Sequence, residues 1–126
     1  MRSIVKVVGV LFIVVALWAF VDTGFGMETS LLMGQFQVNA VHNLAHLALG
    51  IWGYASSRTD SASGHYSRWA GAVFLALGAM GFAMENPLDL MPIGGADRFL
   101  HLGVGLLLLS VGLVEASRPR ASRRMR

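Results

Sequence analysis

Four long apolar segments, separated by short polar loops, constrain the fold of this chain more than any other feature. They run roughly over residues 4–21, 36–55, 69–84 and 97–114. Each is close to the length of ~20 residues that a helix needs to cross about 30 Å of hydrocarbon. A helix also satisfies its own backbone hydrogen bonds in lipid. The sequence therefore predicts an all-α, integral membrane four-helix bundle over residues 1–117.

The amino-acid composition agrees with a membrane protein. Only 13% of the 126 residues are charged, whereas soluble domains average about 25%. The chain contains no cysteine, so disulfides, thiolate zinc sites and iron–sulfur clusters are excluded. The net charge of +3 does not indicate a nucleic-acid partner, because the basic residues cluster at the ends of the apolar segments and in the tail.

The first apolar segment follows Arg2 and Lys6, which also allows a secretory signal to be considered. A signal has a basic start, a short apolar core and a small-residue cleavage site. Here the apolar run is long for such a core, and no clean cleavage site follows it. We therefore expect a retained transmembrane helix, with a cleaved signal as the alternative.

The distribution of charge predicts how the segments are oriented. One group of loops and ends carries nearly all basic residues: Arg2, Lys6, Arg58, Arg68 and the five arginines of the tail. The opposite loops carry the acids Asp22, Glu28, Glu85, Asp89 and Asp97, with Arg98 as the single basic residue. Positive loops stay in the cytoplasm. We expect a multi-pass protein of the bacterial inner membrane with both termini cytoplasmic, and a basic cytoplasmic tail over residues 118–126.

Two stretches of the chain repeat each other, over residues 42–50 and 97–105. Both read as a polar pair, two apolar residues, His-Leu, two further residues and glycine. The first and third segments also open alike, with residues 9–12 matching residues 71–74. This pattern predicts a duplicated transmembrane helical hairpin, whose two copies point the same way. The histidines of the two copies then lie at a similar depth.

Polar residues in the second and fourth segments fall on defined helix faces. Residues four apart share one face of a helix. His42, His46 and Gly50 form one such stripe, and Asp97, His101 and Gly105 form the other. The polar residues of both stripes lie in the outer halves of their segments. Ionisable residues inside a membrane are costly and indicate a functional site.

One interpretation of these polar residues is purely structural. Interhelical hydrogen bonds and small residues hold membrane bundles together. His46 can bond His101 or Asn43, and Arg98 can pair with Asp97 or Glu85. Asn39, Asn43 and Arg98 then complete a structural polar cluster. This interpretation favours a non-enzymatic structural or accessory subunit, packed in the lipid bilayer against larger membrane subunits or against itself.

The alternative interpretation is a ligand site built on His42, His46 and His101. Imidazoles combined with a carboxylate suit zinc, copper, iron or nickel, and the candidate carboxylates are those of Asp22, Glu85 and Asp97. A haem or a chlorophyll-type pigment is a variant, because one histidine of each hairpin can be an axial ligand. The glycines one turn further on, Gly50 and Gly105, then leave room for the flat macrocycle.

Two further functions have weaker support. Chains of acids and histidines mark proton paths in membranes, but Tyr54 is the only polar residue that continues the first stripe beyond Gly50. No Ser–His–acid order and no phosphate-cradling motif indicates an enzyme. His65 lies in a polar loop, where we expect solvent around it.

Two motifs resemble those of a known bacterial family. The run VNAVHNLAHLALG over residues 38–50 fits the pattern VNxxHNxxHxxxG, and DRFLHLGVG over residues 97–105 contains DxxLHLxxG. Both resemble a domain-of-unknown-function family of small four-span membrane proteins. The resemblance implies the four-helix fold, and it implies no activity, cofactor or partner.

Overall fold

A computed structural model describes residues 1–119 and 121–122. In chain order the elements are α1 (Arg2–Thr23), β1 (Ser30–Leu32), β2 (Phe36–Val38), α2 (Ala40–Ser56), α3 (Asp60–Ala83), a short 3₁₀ helix (Pro87–Asp89) and α4 (Asp97–Ser117). The predicted all-α fold of four helices is confirmed. The two strands are short additions in the loop between α1 and α2.

The helices pack as two hairpins, α1 with α2 and α3 with α4, and α3 also contacts α1 and α2. Glycines set the close approach within each hairpin. A Cβ atom on Gly9 would lie 2.8 Å from the carbonyl oxygen of Gly50. A Cβ atom on Gly105 would lie 3.0 Å from the carbonyl oxygen of Gly71. These positions match in the two repeats, so both hairpins bring helix backbones into direct contact in the same way.

The start of α2 differs from the predicted segment, which began at residue 36. Phe36–Val38 forms β2, which pairs antiparallel with β1 in the register Leu32↔Phe36. Met33 and Gly34 turn the chain with φ angles of 53° and 69°. The side chains of Leu32 and Val38 are buried against Ala19. This small hairpin therefore covers the C-terminal end of α1, where the sequence predicted only a loop.

The start of α3 also differs, since the helix begins at Asp60 rather than near residue 69. Thr59 caps it, because its hydroxyl accepts a hydrogen bond from the backbone N–H of Ala62 at 3.1 Å. Ser63 is buried and donates to the carbonyl oxygen of Ser56 at 3.0 Å. The polar stretch that was predicted to be a loop is therefore the first part of a helix that packs against α2.

Among the described residues, two helices are long and apolar enough to cross a membrane, α1 and α4. Helix α2 has 17 residues, and α3 has polar residues in its first turns. Crossing by all four helices stays a prediction. Of the predicted basic tail, Arg120 and residues 123–126 lie outside the described residues, and Arg118 pairs with Glu115 at 3.1 Å.

The apolar core has two parts. The larger contains Val5, Val8, Phe12, Tyr66, Ala70, Phe74 and Leu108. At its centre the rings of Phe12 and Phe74, one from each hairpin, stack with centroids 5.1 Å apart and planes at 9°. The smaller part contains Ala19, Leu32 and Val38 under the β-hairpin. The histidines singled out by the sequence lie between these two parts.

Candidate functional site

Asn39 positions the histidines of α2. Its side-chain oxygen accepts a hydrogen bond from the backbone N–H of His42 at 2.9 Å and so caps the helix. Its amide nitrogen donates to the carbonyl oxygens of Leu90 at 2.9 Å and Met27 at 3.3 Å. One buried side chain therefore ties the start of α2 to the two loops at this end of the molecule. Sequence reasoning placed Asn39 in the polar cluster without this capping role.

The three histidines of the predicted site converge in the interior. His42, His46 and His101 are 1%, 8% and 1% exposed. The Nε2 atom of His46 lies 3.2 Å from Nε2 of His42 and 3.5 Å from Nε2 of His101. One ligand atom from each residue lies within 4.8 Å of the others. The predicted meeting of imidazoles from two hairpins is therefore confirmed.

The ring of His42 is oriented by a backbone carbonyl group. Its Nδ1 lies 2.6 Å from the carbonyl oxygen of Pro92. Because a carbonyl oxygen can only accept, Nδ1 carries the hydrogen and donates it. The Nε2 atom of a neutral His42 ring then holds a lone pair, which faces His46. Metal-bound histidines commonly have this arrangement, with the other ring nitrogen donating to a carbonyl or carboxylate group.

Hydrogen bonds alone do not satisfy these nitrogens. Nε2 of His46 contacts both other rings, but a ring nitrogen holds either one hydrogen or one lone pair. If it donates to His42, it cannot accept from His101. If it accepts from His101, two lone pairs face each other at 3.2 Å. One of the two contacts of His46, with His42 or with His101, is thus left without a linear hydrogen bond. A cation at the centre, in contrast, can accept a lone pair from each of the three rings.

Two of the distances between the ring nitrogens match those around a single metal ion. Histidine nitrogens bind tetrahedral zinc at about 2.0–2.1 Å, which places two such nitrogens about 3.3 Å apart. The two measured Nε2–Nε2 distances, 3.2 and 3.5 Å, lie on either side of this value. Two of the three nitrogen pairs therefore have the spacing of imidazoles on one ion, and the third pair, between His42 and His101, lies within 4.8 Å.

The candidate carboxylates are placed differently from one another. Asp97 is 2% exposed, and its Oδ2 lies 3.6 Å from Nδ1 of His42. It thus faces the side of the ring away from His46 and stands beside the cluster. Asp22 and Glu85 are exposed at the ends of α1 and α3. In the described part of the chain, the group of converging ligand atoms consists of the three histidines.

Gly50 and Gly105 do not provide space for a macrocycle. A Cβ atom on Gly50 would lie 2.8 Å from the backbone nitrogen of Ile13, and one on Gly105 would lie 2.7 Å from that of Leu75. Both glycines are filled by the neighbouring helix of their own hairpin. The cavities beside the histidines measure about 230 and 210 Å³, below the ~300 Å³ at which pockets for drug-sized ligands begin. The geometry therefore favours an ion over a haem or pigment.

Two other members of the predicted polar cluster behave differently from the expectation. Asn43 is buried, and its side-chain nitrogen has no hydrogen-bond partner among the residues that the structure describes. The guanidinium of Arg98 lies over the rings of Phe82 and Phe99, 4.6 and 5.3 Å from their centroids. Within the described residues, Arg98 forms no ion pair with an acid. The expected pairing of Arg98 with Asp97 or Glu85 is replaced by these aromatic contacts.

Sequence reasoning missed the aromatic residues that border the cluster. The ring centroid of Phe12 lies 5.1 Å from that of His46, and Phe74 lies 5.6 Å from His101. The signal was present, because both phenylalanines stand at the same place in the repeated openings of segments one and three. The carbonyl group of Pro92, in contrast, has no counterpart in the sequence pattern.

Two cavities end on the histidines. The one of about 230 Å³ is lined by Leu11 and Phe12 of α1, Leu100 and Val104 of α4, and His46. The one of about 210 Å³ is lined by side chains of the β-hairpin together with His42, His46 and Asp97. The cluster can therefore be reached from the side and from the end of the bundle that carries the β-hairpin.

The fold and the site together define a four-helix protein with two helices able to span a membrane and a buried group of three histidines. A family model described as "Domain of unknown function (DUF4383)" matches residues 2–114. The chain belongs to this family, and the resemblance to an uncharacterised domain family is thereby confirmed. No curated protein and no solved structure matches the chain.

Proposed function

We propose that this protein is a four-span membrane protein that binds one divalent transition-metal ion through His42, His46 and His101. The observation that carries the proposal is the convergence of three buried imidazole nitrogens, at 3.2 and 3.5 Å, which hydrogen bonds alone cannot satisfy. Imidazole ligands suit zinc, copper, nickel and iron. Histidines that bind a metal typically donate from their other ring nitrogen to a carbonyl or carboxylate group, as His42 does to the carbonyl group of Pro92.

The membrane part of the proposal rests on symmetry as well as hydropathy. Helices α1 and α4 are long and apolar enough to span, and each packs against a partner helix through matched glycines, Gly9 with Gly50 and Gly71 with Gly105. These equivalent contacts support a duplicated hairpin in which all four helices share the bilayer. With both termini in the cytoplasm, as the charges predict, the histidines lie in the outer half of the membrane.

The proposed site has three protein ligands and a fourth position open to the adjacent cavities. Zinc sites that bind an exchangeable ligand have this composition. The carboxyl group of Asp97 lies 3.6 Å from Nδ1 of His42, and in its ionised form it would offset part of the cost of a buried cation. Such a site suits a protein that stores a metal ion, senses it or transfers it to another molecule. The role as an accessory subunit of a larger complex stays a prediction from the sequence.

Titration of the purified full-length protein in detergent with Co²⁺ tests the proposal. Tetrahedral coordination by histidines is expected to produce visible absorption bands that saturate at one ion per chain. Three single variants, His42→Ala, His46→Ala and His101→Ala, are expected to lose saturation. His65→Ala is the matched control, because His65 is exposed near the opposite end of the bundle and its removal is expected to leave the titration unchanged.

Stability measurements separate metal binding from the structural interpretation. A ligand at 100 times its dissociation constant stabilises the folded state by about 2.7 kcal/mol, so saturating Zn²⁺ is expected to raise the melting temperature of the wild type and of His65→Ala only. If the wild type binds no ion, while the three histidine variants simply unfold more easily, the cluster is a hydrogen-bonded helix contact and the metal proposal is wrong.

A further inference from the structure

A cavity rich in basic side chains lies at the opposite end of the first hairpin from the histidines. It measures about 460 Å³ and opens between the start of α1 and the turn that joins α2 to α3. Its lining residues are Arg2, Ser3, Lys6, Tyr54, Ser57 and Arg58. Three of these side chains are cationic and none is acidic. The cavity therefore concentrates positive charge around a space large enough for a small anionic group.

The cationic residues are partly held in place by the surrounding backbone and rings. Nε of Arg2 donates to the carbonyl oxygen of Ser57 at 3.0 Å, which links α1 to the turn after α2. The ammonium of Lys6 lies 5.9 Å from the ring centroid of Tyr54. Among the described residues, Arg2 bonds the backbone through Nε, which leaves its two terminal nitrogens for an anion. The planar guanidinium matches the geometry of phosphate oxygens.

The second hairpin contains an equivalent cavity that serves as an internal comparison. It measures about 350 Å³ and is lined by Asp60, Ser61, Gly64, His65, Arg68, Glu115 and Ala116. Arg68, the counterpart of Lys6 in the repeat, donates at 3.4 Å to the carbonyl oxygen of Gly112, the counterpart of Ser57. Here two acids accompany the basic residues. The uncompensated positive charge is thus specific to the first hairpin rather than a general property of this end of the bundle.

We infer that the cavity around Arg2, Lys6 and Arg58 binds a phosphate group, and that its source is the headgroup of an anionic phospholipid. The cavity lies at the end of a helix able to span a membrane, where headgroups are found. Basic pockets on the cytoplasmic side of membrane helices bind such headgroups. The inference shares the membrane location with the proposed function and is independent of the metal ion.

Reconstitution of the full-length protein into nanodiscs of phosphatidylcholine allows a direct test. Binding of added phosphatidylglycerol is measured for the wild type, for Lys6→Gln and Arg58→Gln, and for Arg68→Gln as the matched control. Each charge near the site is expected to contribute about fivefold to affinity. Lys6→Gln and Arg58→Gln should each weaken binding by about that factor, while Arg68→Gln should change it less than twofold.

Two results would overturn the inference. Equal weakening by Arg58→Gln and Arg68→Gln would mean that general surface charge attracts the lipid. Competition by inorganic phosphate at the same concentration as the lipid would identify a free anion rather than a headgroup as the occupant. Arg58 is exposed on a turn, so its variant should fold. Circular dichroism melts of all three variants check that their binding is compared between folded proteins.

Discussion

Two glycines of α4 form a matched pair for testing how closely the helices of a hairpin pack. Gly103 is exposed, and a Cβ atom there would meet nothing within 4 Å. Gly105 is buried, and its Cβ atom would lie 2.7 Å from the backbone nitrogen of Leu75. Alanine at either position improves intrinsic helix propensity by the same ~1 kcal/mol. The propensity gain therefore cancels when the two variants are compared.

What remains is the cost of the collision at Gly105. Ordinary contact begins at 3.4 Å, so the gap of 2.7 Å is short by 3.4 − 2.7 = 0.7 Å. The obstructing atom is backbone, which moves only if α3 and α4 separate. Overpacking of this kind costs about 1–3 kcal/mol. At roughly 4 °C per kcal/mol for a chain of this size, Gly105→Ala should melt about 4–12 °C below Gly103→Ala.

Thermal unfolding in detergent, followed by circular dichroism, measures this difference. A second measurement is Co²⁺ affinity, because Gly105 lies one turn from His101 and separation of the helices would move that ring away from His46. Gly105→Ala is expected to bind the ion more weakly, while Gly103→Ala should bind like the wild type. Equal melting temperatures for the two variants would show that the helix backbones do not approach each other at Gly105.

Two further predictions concern the support of the histidines. Asn39→Ala removes the cap of α2 and the bonds to two loop carbonyls, so the free energy of unfolding should fall by about 1–3 kcal/mol, measured in the same melts. Asp97→Asn keeps the shape but removes the ionisable group 3.6 Å from Nδ1 of His42, so Co²⁺ affinity should drop. Asp89→Asn, an exposed acid in the preceding loop, is its control, and equal affinities for the two variants would contradict a supporting role of Asp97.

The helices and the histidine group could be predicted from the sequence because both depend on periodicity. The spacing of His42 and His46 puts both rings on one helix face, and the repeat puts His101 at the matching depth. The first turns of α3 were missed because serines and a histidine look like a loop, although Thr59 followed by Asp60 is a recognisable helix start. Burial of Ser63 against α2 depends on tertiary packing.

Other features depend on how the loops pack against the helices, and local sequence patterns do not predict such packing. The carbonyl group of Pro92 orients His42 only because the loop after α3 folds back over α2. The β-hairpin around Gly34 was missed because its strands are only three residues long, β1 within the predicted loop and β2 at the start of the predicted second segment. The sequence allowed Arg98 to pair with Asp97 or Glu85. In the fold, its guanidinium lies over the ring of Phe82 instead.

The stacked rings of Phe12 and Phe74 make the interior of the bundle asymmetric along its axis. They adjoin His46 and His101 on one side and continue on the other into the apolar core that reaches Val5. In the proposed function, an ion bound at the imidazoles has this aromatic stack directly behind it. It would leave through the cavities by which the histidines are reached. The stacked rings therefore favour binding and release on one side of the barrier over passage along the axis of the bundle.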